Sequence, residues 1–533
     1  MRPRLPSQAI ATLDCFGKDA FMPPIVDTRY GKLQGQTEDD LHVFRGVPFA
    51  APPVGELRFR APRPPEPWDG VREANEVGYG SMQTFVSGLE LLGAWEMPVD
   101  EDCLTLNIWT PGLDDAKRPV MFWIHGGGFA GGSGATPIYN GQHLASRGDV
   151  VVVTINYRLG ALGYLYNQAL TDGDDPTSGN YGMRDQIAAL EWVRDHIRAF
   201  SGDPDNVTIF GESAGGMSVG VLMGAAEAEG LFHRAIPQSG AAHHSLPIDI
   251  AEEVCRRYCA ILEVSPEDAD SLRSIPAQDM LDAQNALAAD PQTSALTGRY
   301  LMAFSPVVEG GFLETLPIES VRNGRSKDVD LLCGTIEDEW TLLAAIQGVN
   351  EMDETSARGA LAVTAGDADV ANQLYDHYRD ARTARAAASD ALTVYDSVMT
   401  DYVFRIPSDR LLDAHSALGG SGKTYGYMFN QQSPAMDGRL RAPHAIDIPF
   451  VWGTGDQMRA FIGEDPQTDQ LSGFVMDAWI SFARNGNPST NALPGWPEYR
   501  ADQRYTMVLG PDVKTVREDR EVEREIWSSD LLE

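Results

Sequence analysis

Asn206-Val207-Thr208-Ile209-Phe210 runs directly into Gly211-Glu212-Ser213-Ala214-Gly215-Gly216, and this junction constrains the fold more than any other stretch. Residues 207–210 read as a short β-strand. The small residues after Ser213 open a pattern that suits a helix. A serine placed between strand and helix in Gly-x-Ser-x-Gly is held in a strained backbone with its Oγ exposed. Gly211 and Gly215 have a steric reason to be glycine, since in so tight a turn a Cβ would strike the adjoining strand or helix. A glycine-rich turn with a chance serine would look the same in isolation; the strand before it and the helix after it weigh against that.

The rest of the chain supplies the sheet that such a junction needs. Residues 120–124 and 150–155 are continuous apolar runs, as in strands buried on both faces of a parallel sheet. Residues 25–27 and 31–35 predict a hairpin, and 41–49 and 104–109 alternate at period two. Further strand-like runs cover 234–237, 329–333, 424–429 and 505–509, while 185–200 repeats apolar residues at helical spacing. Strands alternating with helices predict an α/β fold, a mostly parallel central sheet with helices on both faces. Residues 250–420 are richer in helical patterns and predict an inserted cap. One domain over 22–533 is expected, preceded by a poorly packed extension over 1–21, with Met22 as an alternative start.

Charge narrows the partners. Of the 533 residues, 77 are acidic and 42 are Lys or Arg, a formal charge of −35. Such a surface repels phosphate backbones and anionic lipid, so neither nucleic acid nor a membrane surface is an expected partner. No apolar stretch approaches the length that spans a bilayer. Five scattered cysteines do not make a disulfide framework. Cys255 and Cys259 share a helix face without a second Cys or His pair, so they read as buried thiols rather than metal ligands. A cytoplasmic location is expected.

His125-Gly126-Gly127-Gly128-Phe129 follows the buried run 120–124, where an α/β-hydrolase carries its oxyanion donors. Gly127 and Gly128, with the amide of Ala214, are the expected donors. A phosphate-binding loop is disfavoured, because no lysine or Ser/Thr follows in P-loop register. A serine hydroxyl needs a base, and the base needs an orienting acid. Six histidines follow Ser213: His233, His243, His244, His377, His415 and His444. His377 and His415 lie in charged helical patterns and are expected at the surface, and His233 is expected to pack or be solvated. His444 follows a strand and a loop late in the chain, where the hydrolase order of serine, acid, histidine puts the base. The acid lies in Glu337-Asp338-Glu339 after the strand 329–333; spacing does not choose among the three.

Several ordered motifs resemble the type-B carboxylesterases, the α/β-hydrolase group that includes cholinesterases and bacterial para-nitrobenzyl esterases. They are Phe44-Arg45-Gly46-Val47-Pro48-Phe49-Ala50, Glu101-Asp102-Cys103-Leu104-Thr105-Leu106-Asn107, the His125 loop, Gly179-Asn180-Tyr181-Gly182-Met183-Arg184-Asp185-Gln186, the segment 202–216, and Gln238-Ser239-Gly240. Gly486-Asn487-Pro488 and Trp496-Pro497 extend the likeness, which covers about residues 25 to 500. The resemblance implies an α/β-hydrolase fold and a Ser213–His444–Glu339 triad hydrolysing small-molecule carboxylic esters through an acyl-enzyme, without cofactor or metal. It implies that Glu212 tunes the field near His444 and that Ser218 hydrogen-bonds around the acid. It also implies ion pairs Arg45–Glu101 and Arg158–Asp185. A carbamate or amide hydrolase would use the same triad, and a non-catalytic cholinesterase-like binding protein would share the fold but usually lack the serine. Two departures stand out. Trp340 follows the acid where the family usually has glycine, and Ser81 occupies the region of the cysteine that secreted members pair with the one matching Cys103. Trp95 lies in the loop of the choline-site tryptophan, but that loop is shorter, which argues against a cholinesterase.

Overall fold

Alternate residues of the central strands feed two different cores. Val120, Phe122 and Ile124 belong to one apolar cluster and Met121 and Trp123 to another, as period-two geometry requires of a strand covered on both faces. The computed structural model describes residues 23–85, 96–171, 178–517 and 520–528. The extension expected over 1–21, Cys15 and Trp95 lie outside those residues.

The central sheet comprises β1 (Gln36–Glu38), β2 (Leu41–Pro48), β3 (Thr105–Thr110), β4 (Arg118–Ile124), β5 (Val151–Ile155), β6 (Gly202–Glu212), β7 (Arg234–Gln238), β8 (Asp330–Ile336), β9 (Thr424–Phe429), β10 (Tyr505–Leu509) and β11 (Lys514–Arg517). Their spatial order is β11-β10-β9-β8-β7-β6-β4-β5-β3-β2-β1. From β5 across to β10 the strands run parallel, and antiparallel strands close both edges. From β4 the chain crosses to β5 on one side and then to β6 on the other. The carboxyl ends of β4 and β6 therefore flank a topological switch point, the crevice where open α/β sheets bind ligands. The His125 glycine loop leaves β4 there, and Ser213 leaves β6.

Helices Tyr181–His196 and Ala214–Gly224 pack on one face. Helix Pro466–Asn485 packs on the other, against a cluster that includes Trp123, Trp452 and Trp479. Truncating a fully buried side chain such as Trp123 to alanine would cost about 3–5 kcal/mol. Strand β8 runs through the middle of the helix-rich stretch 250–420 and divides its helices into two groups. The hairpin pairs Ile25–Thr28 with Gly31–Gln34 as the sequence suggests.

The two expected ion pairs fare differently. Arg158 and Asp185 meet in a buried, bidentate pair, with Nη2–Oδ1 at 2.7 Å and Nε–Oδ2 at 2.8 Å. Arg45 and Glu101 do not pair. A bulge between Phe44 and Val47 interrupts β2, and such a bulge re-aims side chains. Arg45 instead donates to Glu38 on the edge strand, at 2.5 and 2.8 Å. Glu101 is gripped by Arg58, with Nε–Oε1 at 2.6 Å. His415 is also not at the surface: it is buried, with Nδ1 2.8 Å from Thr424 Oγ1 and Nε2 3.2 Å from Ser326 O.

Candidate active site

At Ser213 the chain turns from β6 into helix Ala214–Gly224 with φ 58° and ψ −127°, a conformation that costs a non-glycine residue of order 1–3 kcal/mol. Hydrogen bonds on both sides hold it there: Ser213 N–H donates to Gln238 O at 3.0 Å, and Met217 N–H donates to Ser213 O at 2.8 Å. The flanking glycines are where the steric argument puts them. A Cβ on Gly211 would come 2.6 Å from Gly215 C and Ile124 O, and one on Gly215 would come 2.0 Å from Ile124 O. Close approach of β4, β6 and the helix is thus what lifts the serine above the sheet.

The adjoining glycine loop uses backbone freedom instead. Gly127 and Gly128 have φ of 114° and 62°. Ala130 and Gly131 N–H both donate to Gly127 O, and the side-chain amide of Gln83 pairs with both the N–H and the C=O of Gly132, at 2.8 and 2.9 Å. The amides of Gly127, Gly128 and Ala214 have no hydrogen-bond acceptor among the described residues. Nothing in the sequence marked Gln83 as the brace of this loop.

Each of the three candidate carboxylates goes to a different partner. Glu337 accepts from Arg520 Nη2 at 2.8 Å, Asp338 pairs with Arg441 at 3.2 Å, and Glu339 Oε2 lies 2.7 Å from His444 Nδ1. Backbone register enforces this division. Asp338 N–H donates to Ala442 O at 2.9 Å and His444 N–H to Glu339 O at 3.2 Å, so the two loops are zipped together. The second carboxylate oxygen of Glu339 accepts from Ile336 N–H at 2.8 Å. With one oxygen fixed by an amide and the other on the imidazole, the fully buried Glu339 has one orientation.

His444 Nε2 lies 3.1 Å from Glu212 Oε1, and Ser213 Oγ has no hydrogen bond among the described residues. Ser218, expected around the acid, instead accepts from Gln186 Nε2 at 3.1 Å and ties the two helices together. Trp340 begins a helix, is buried, and donates its backbone N–H to Thr400 Oγ1 at 3.1 Å. Ser81 is buried beside Cys103, whose thiol burial pushes up to about 12. Cys255 and Cys259 are buried, with sulfurs 3.9 Å apart.

The Carboxylesterase family model matches residues 22–527. The chain belongs to the carboxylesterase family. It is 36% identical over 503 residues to the para-nitrobenzyl esterase of Bacillus subtilis (strain 168), covering 94% of this chain and 97% of that one. It is also 36% identical to the phenmedipham hydrolase of Pseudarthrobacter oxydans, over 93% of this chain and 97% of that one. Among solved structures, the Geobacillus stearothermophilus carboxylesterase EST55 superposes with a TM-score of 0.83 at 36% identity, covering 94% and 99% of the two chains. The protein is therefore an α/β-hydrolase and a carboxylic ester hydrolase. Among the described residues no helix is long and apolar enough to cross a membrane.

The electrostatics of this candidate site centre on His444. Burial pushes the imidazole toward the neutral form, but Glu212 and Glu339 on either side overcome it and raise the pKa. Burial raises Glu212 as well, and His444 draws it back. Each acts on the other: Glu212 raises the His444 pKa, and His444 lowers that of Glu212. A third carboxylate escaped the sequence reading. Asp447 is fully buried, accepts from Gln238 Nε2 at 2.7 Å, and is raised to about 6 by burial. Its signal was available: Asp447 is the single charge in Ala445-Ile446-Asp447-Ile448-Pro449-Phe450.

Proposed function

We propose that Ser213, His444 and Glu339 are the catalytic triad of this ester hydrolase. The observation that carries the reading is Glu339 Oε2 at 2.7 Å from His444 Nδ1, which leaves Nε2 as the working nitrogen. Ser213 Oγ attacks the ester carbonyl while Nε2 takes its proton. Amides of Gly127, Gly128 and Ala214, which have no acceptor among the described residues, receive the negative oxygen of the tetrahedral intermediate, and each such donor is worth about 3–4 kcal/mol of barrier. Collapse expels the alcohol, protonated by His444. Water then attacks the acyl-enzyme with the same base, releasing the acid and restoring the serine. Every step uses protein groups and water alone.

In the present geometry Glu212 stands at Nε2, so substrate binding has to bring Oγ into reach, a tightening common on going from an empty site to a substrate complex. Glu212 then acts as a tuner of His444. Ser218 acts through Gln186 on the nucleophile helix and not on the acid. The two groups of helices around β8 form the cap, and a reducing cytoplasmic setting fits a Cys103 that has Ser81 beside it. The test is hydrolysis of para-nitrophenyl esters, carbamates and anilides by the wild type and by Ser213→Ala. An ester-dominated profile lost in the variant supports the reading; a variant with wild-type turnover refutes it.

A further inference from the structure

Helix Ala391–Thr400 and helix Ile406–Ser416 are joined by a π-helical turn, Asp401–Arg405. Such turns are rare and tend to sit at functional sites. This one packs on the imidazole of His444 and on the loop that carries Glu339. Phe404 packs on the His444 imidazole, ring centroids 4.7 Å apart and planes 35° apart. The next residue, Arg405, reaches the root of the acid loop. Its Nη2 donates to Ile336 O at 3.3 Å and to Glu337 O at 2.9 Å.

Ile336 is thereby held at both ends of its backbone. Arg405 fixes its carbonyl, and its own N–H fixes Glu339 Oε1 at 2.8 Å. Since Glu339 Oε2 carries His444 Nδ1, the path from Arg405 to the imidazole runs through three hydrogen bonds, the backbone of Ile336 and the Glu339 side chain. The guanidinium is itself anchored. Its Nη1 donates to Asp401 Oδ1 at 2.5 Å, Asp401 Oδ2 accepts from Tyr378 OH at 2.5 Å, and Tyr378 OH accepts from Trp527 Nε1 at 2.6 Å. Arg405, Asp401, Tyr378 and Trp527 are all buried. Burial disfavours the charged guanidinium, yet Asp401, Asp409 and Glu337 together more than compensate and keep it cationic. A planar fork can hold two carbonyls and a carboxylate at once, which a point ammonium cannot.

We infer that Arg405 is a positioning residue for the catalytic acid, setting Glu339 on His444 through the Ile336 and Glu337 carbonyls and braced by the Asp401–Tyr378–Trp527 relay. The inference rests on the triad reading. Small losses of alignment matter here, because a displacement of about 1 Å in a catalytic group can cost on the order of a hundredfold in rate.

The experiment compares the full-length wild type with Arg405→Gln, Arg405→Lys, Tyr378→Phe and Glu339→Gln on a para-nitrophenyl ester. Active sites are counted with a serine-directed phosphonate, so that misfolded protein does not enter kcat. Arg405→Gln should lower kcat per active site about tenfold to a hundredfold with KM little changed, and Arg405→Lys should recover part of it. The charged groups facing the imidazole are Glu212, Glu339 and Asp447. Looser Glu339 stabilises the imidazolium less, so the acid limb of the kcat profile should move to lower pH. A merely structural role would lower the unfolding temperature and the count of active sites, and would leave kcat per site and the pH limb in place; that result overturns the inference. Should the Arg405 variants fail to fold, Tyr378→Phe keeps the Arg405 bonds and removes one brace. It should lower kcat about two- to fivefold with the same direction of pH shift, and an unchanged profile overturns the inference. Glu339→Gln separates the levels. If it is inactive while Arg405→Gln is normal, the positioning role alone fails; if it has wild-type turnover, the triad reading fails and takes the positioning role with it.

Discussion

The turn at Ser213 and the loop at Glu339 present their side chains by opposite means. At Ser213 the constraint is steric and local: strand, turn and helix approach so closely that Gly211 and Gly215 have no room for a Cβ. At Glu339 the constraint is polar and long-range. Glu337, Asp338 and Glu339 are chemically similar, and what separates them is Arg520, Arg441 and His444, each brought from a distant part of the chain. A steric turn leaves a pattern in the sequence. A loop whose orientation is set by remote partners leaves three equal candidates.

The largest effect that sharpens this contrast is Ser213→Ala. It removes one hydroxyl with no hydrogen bond among the described residues, so the thermal unfolding midpoint should stay near wild type. Turnover should fall by roughly 10⁴–10⁶-fold, read by para-nitrophenol release from purified protein. Gly215→Ala comes next. Its new Cβ would lie 2.0 Å from Ile124 O, so backbone must shift, and urea unfolding should show a loss of about 1–3 kcal/mol. Equal stability to wild type would mean that the turn is not steric after all.

Glu212→Gln acts on the electrostatics between the two regions. Removing the carboxylate 3.1 Å from His444 Nε2 removes one of the charges that raise the histidine pKa. The imidazole then loses its proton at lower pH. The acid limb of kcat/KM should therefore move down, by on the order of one unit; an upward movement would contradict the sign. The smallest effect is at Asp338→Asn. Its ion pair with Arg441 is partly solvated, so the change should cost under about 1 kcal/mol by thermal denaturation and leave the pH profile alone.

Much of the fold was legible because buried parallel strands are written as apolar runs. The strands near 120, 150, 234, 424 and 505 were readable to within a few residues. The edge strands Gln36–Glu38 and Lys514–Arg517 were not, being short, polar and half exposed, with no alternation to read. His415 looked like a surface residue because Asp409, Arg410 and Asp413 surround it in sequence. In the fold, its side of the helix faces Thr424 and Ser326. Arg45 misled for a related reason: the motif around it was matched, but its partner depends on a bulge that no motif encodes. At the site, the serine turn and the glycine loop were plain from the residues alone. His444 followed from chain order, whereas choosing Glu339 required the family likeness. Asp447 and Arg405 were missed because their significance lies in contacts 209 and 69 residues away in sequence.

The most direct measurement is a single-turnover comparison of Glu339→Gln with Glu337→Gln, following acylation of Ser213 by a para-nitrophenyl ester. Glutamine at 339 can no longer stabilise the imidazolium and favours the wrong tautomer, so acylation should slow by about 10⁴-fold. Glutamine at 337 loses only the contact with Arg520 and should acylate within a few-fold of wild type. A Glu339→Gln enzyme that acylates normally beside an inactive Glu337→Gln would contradict the assignment of the acid.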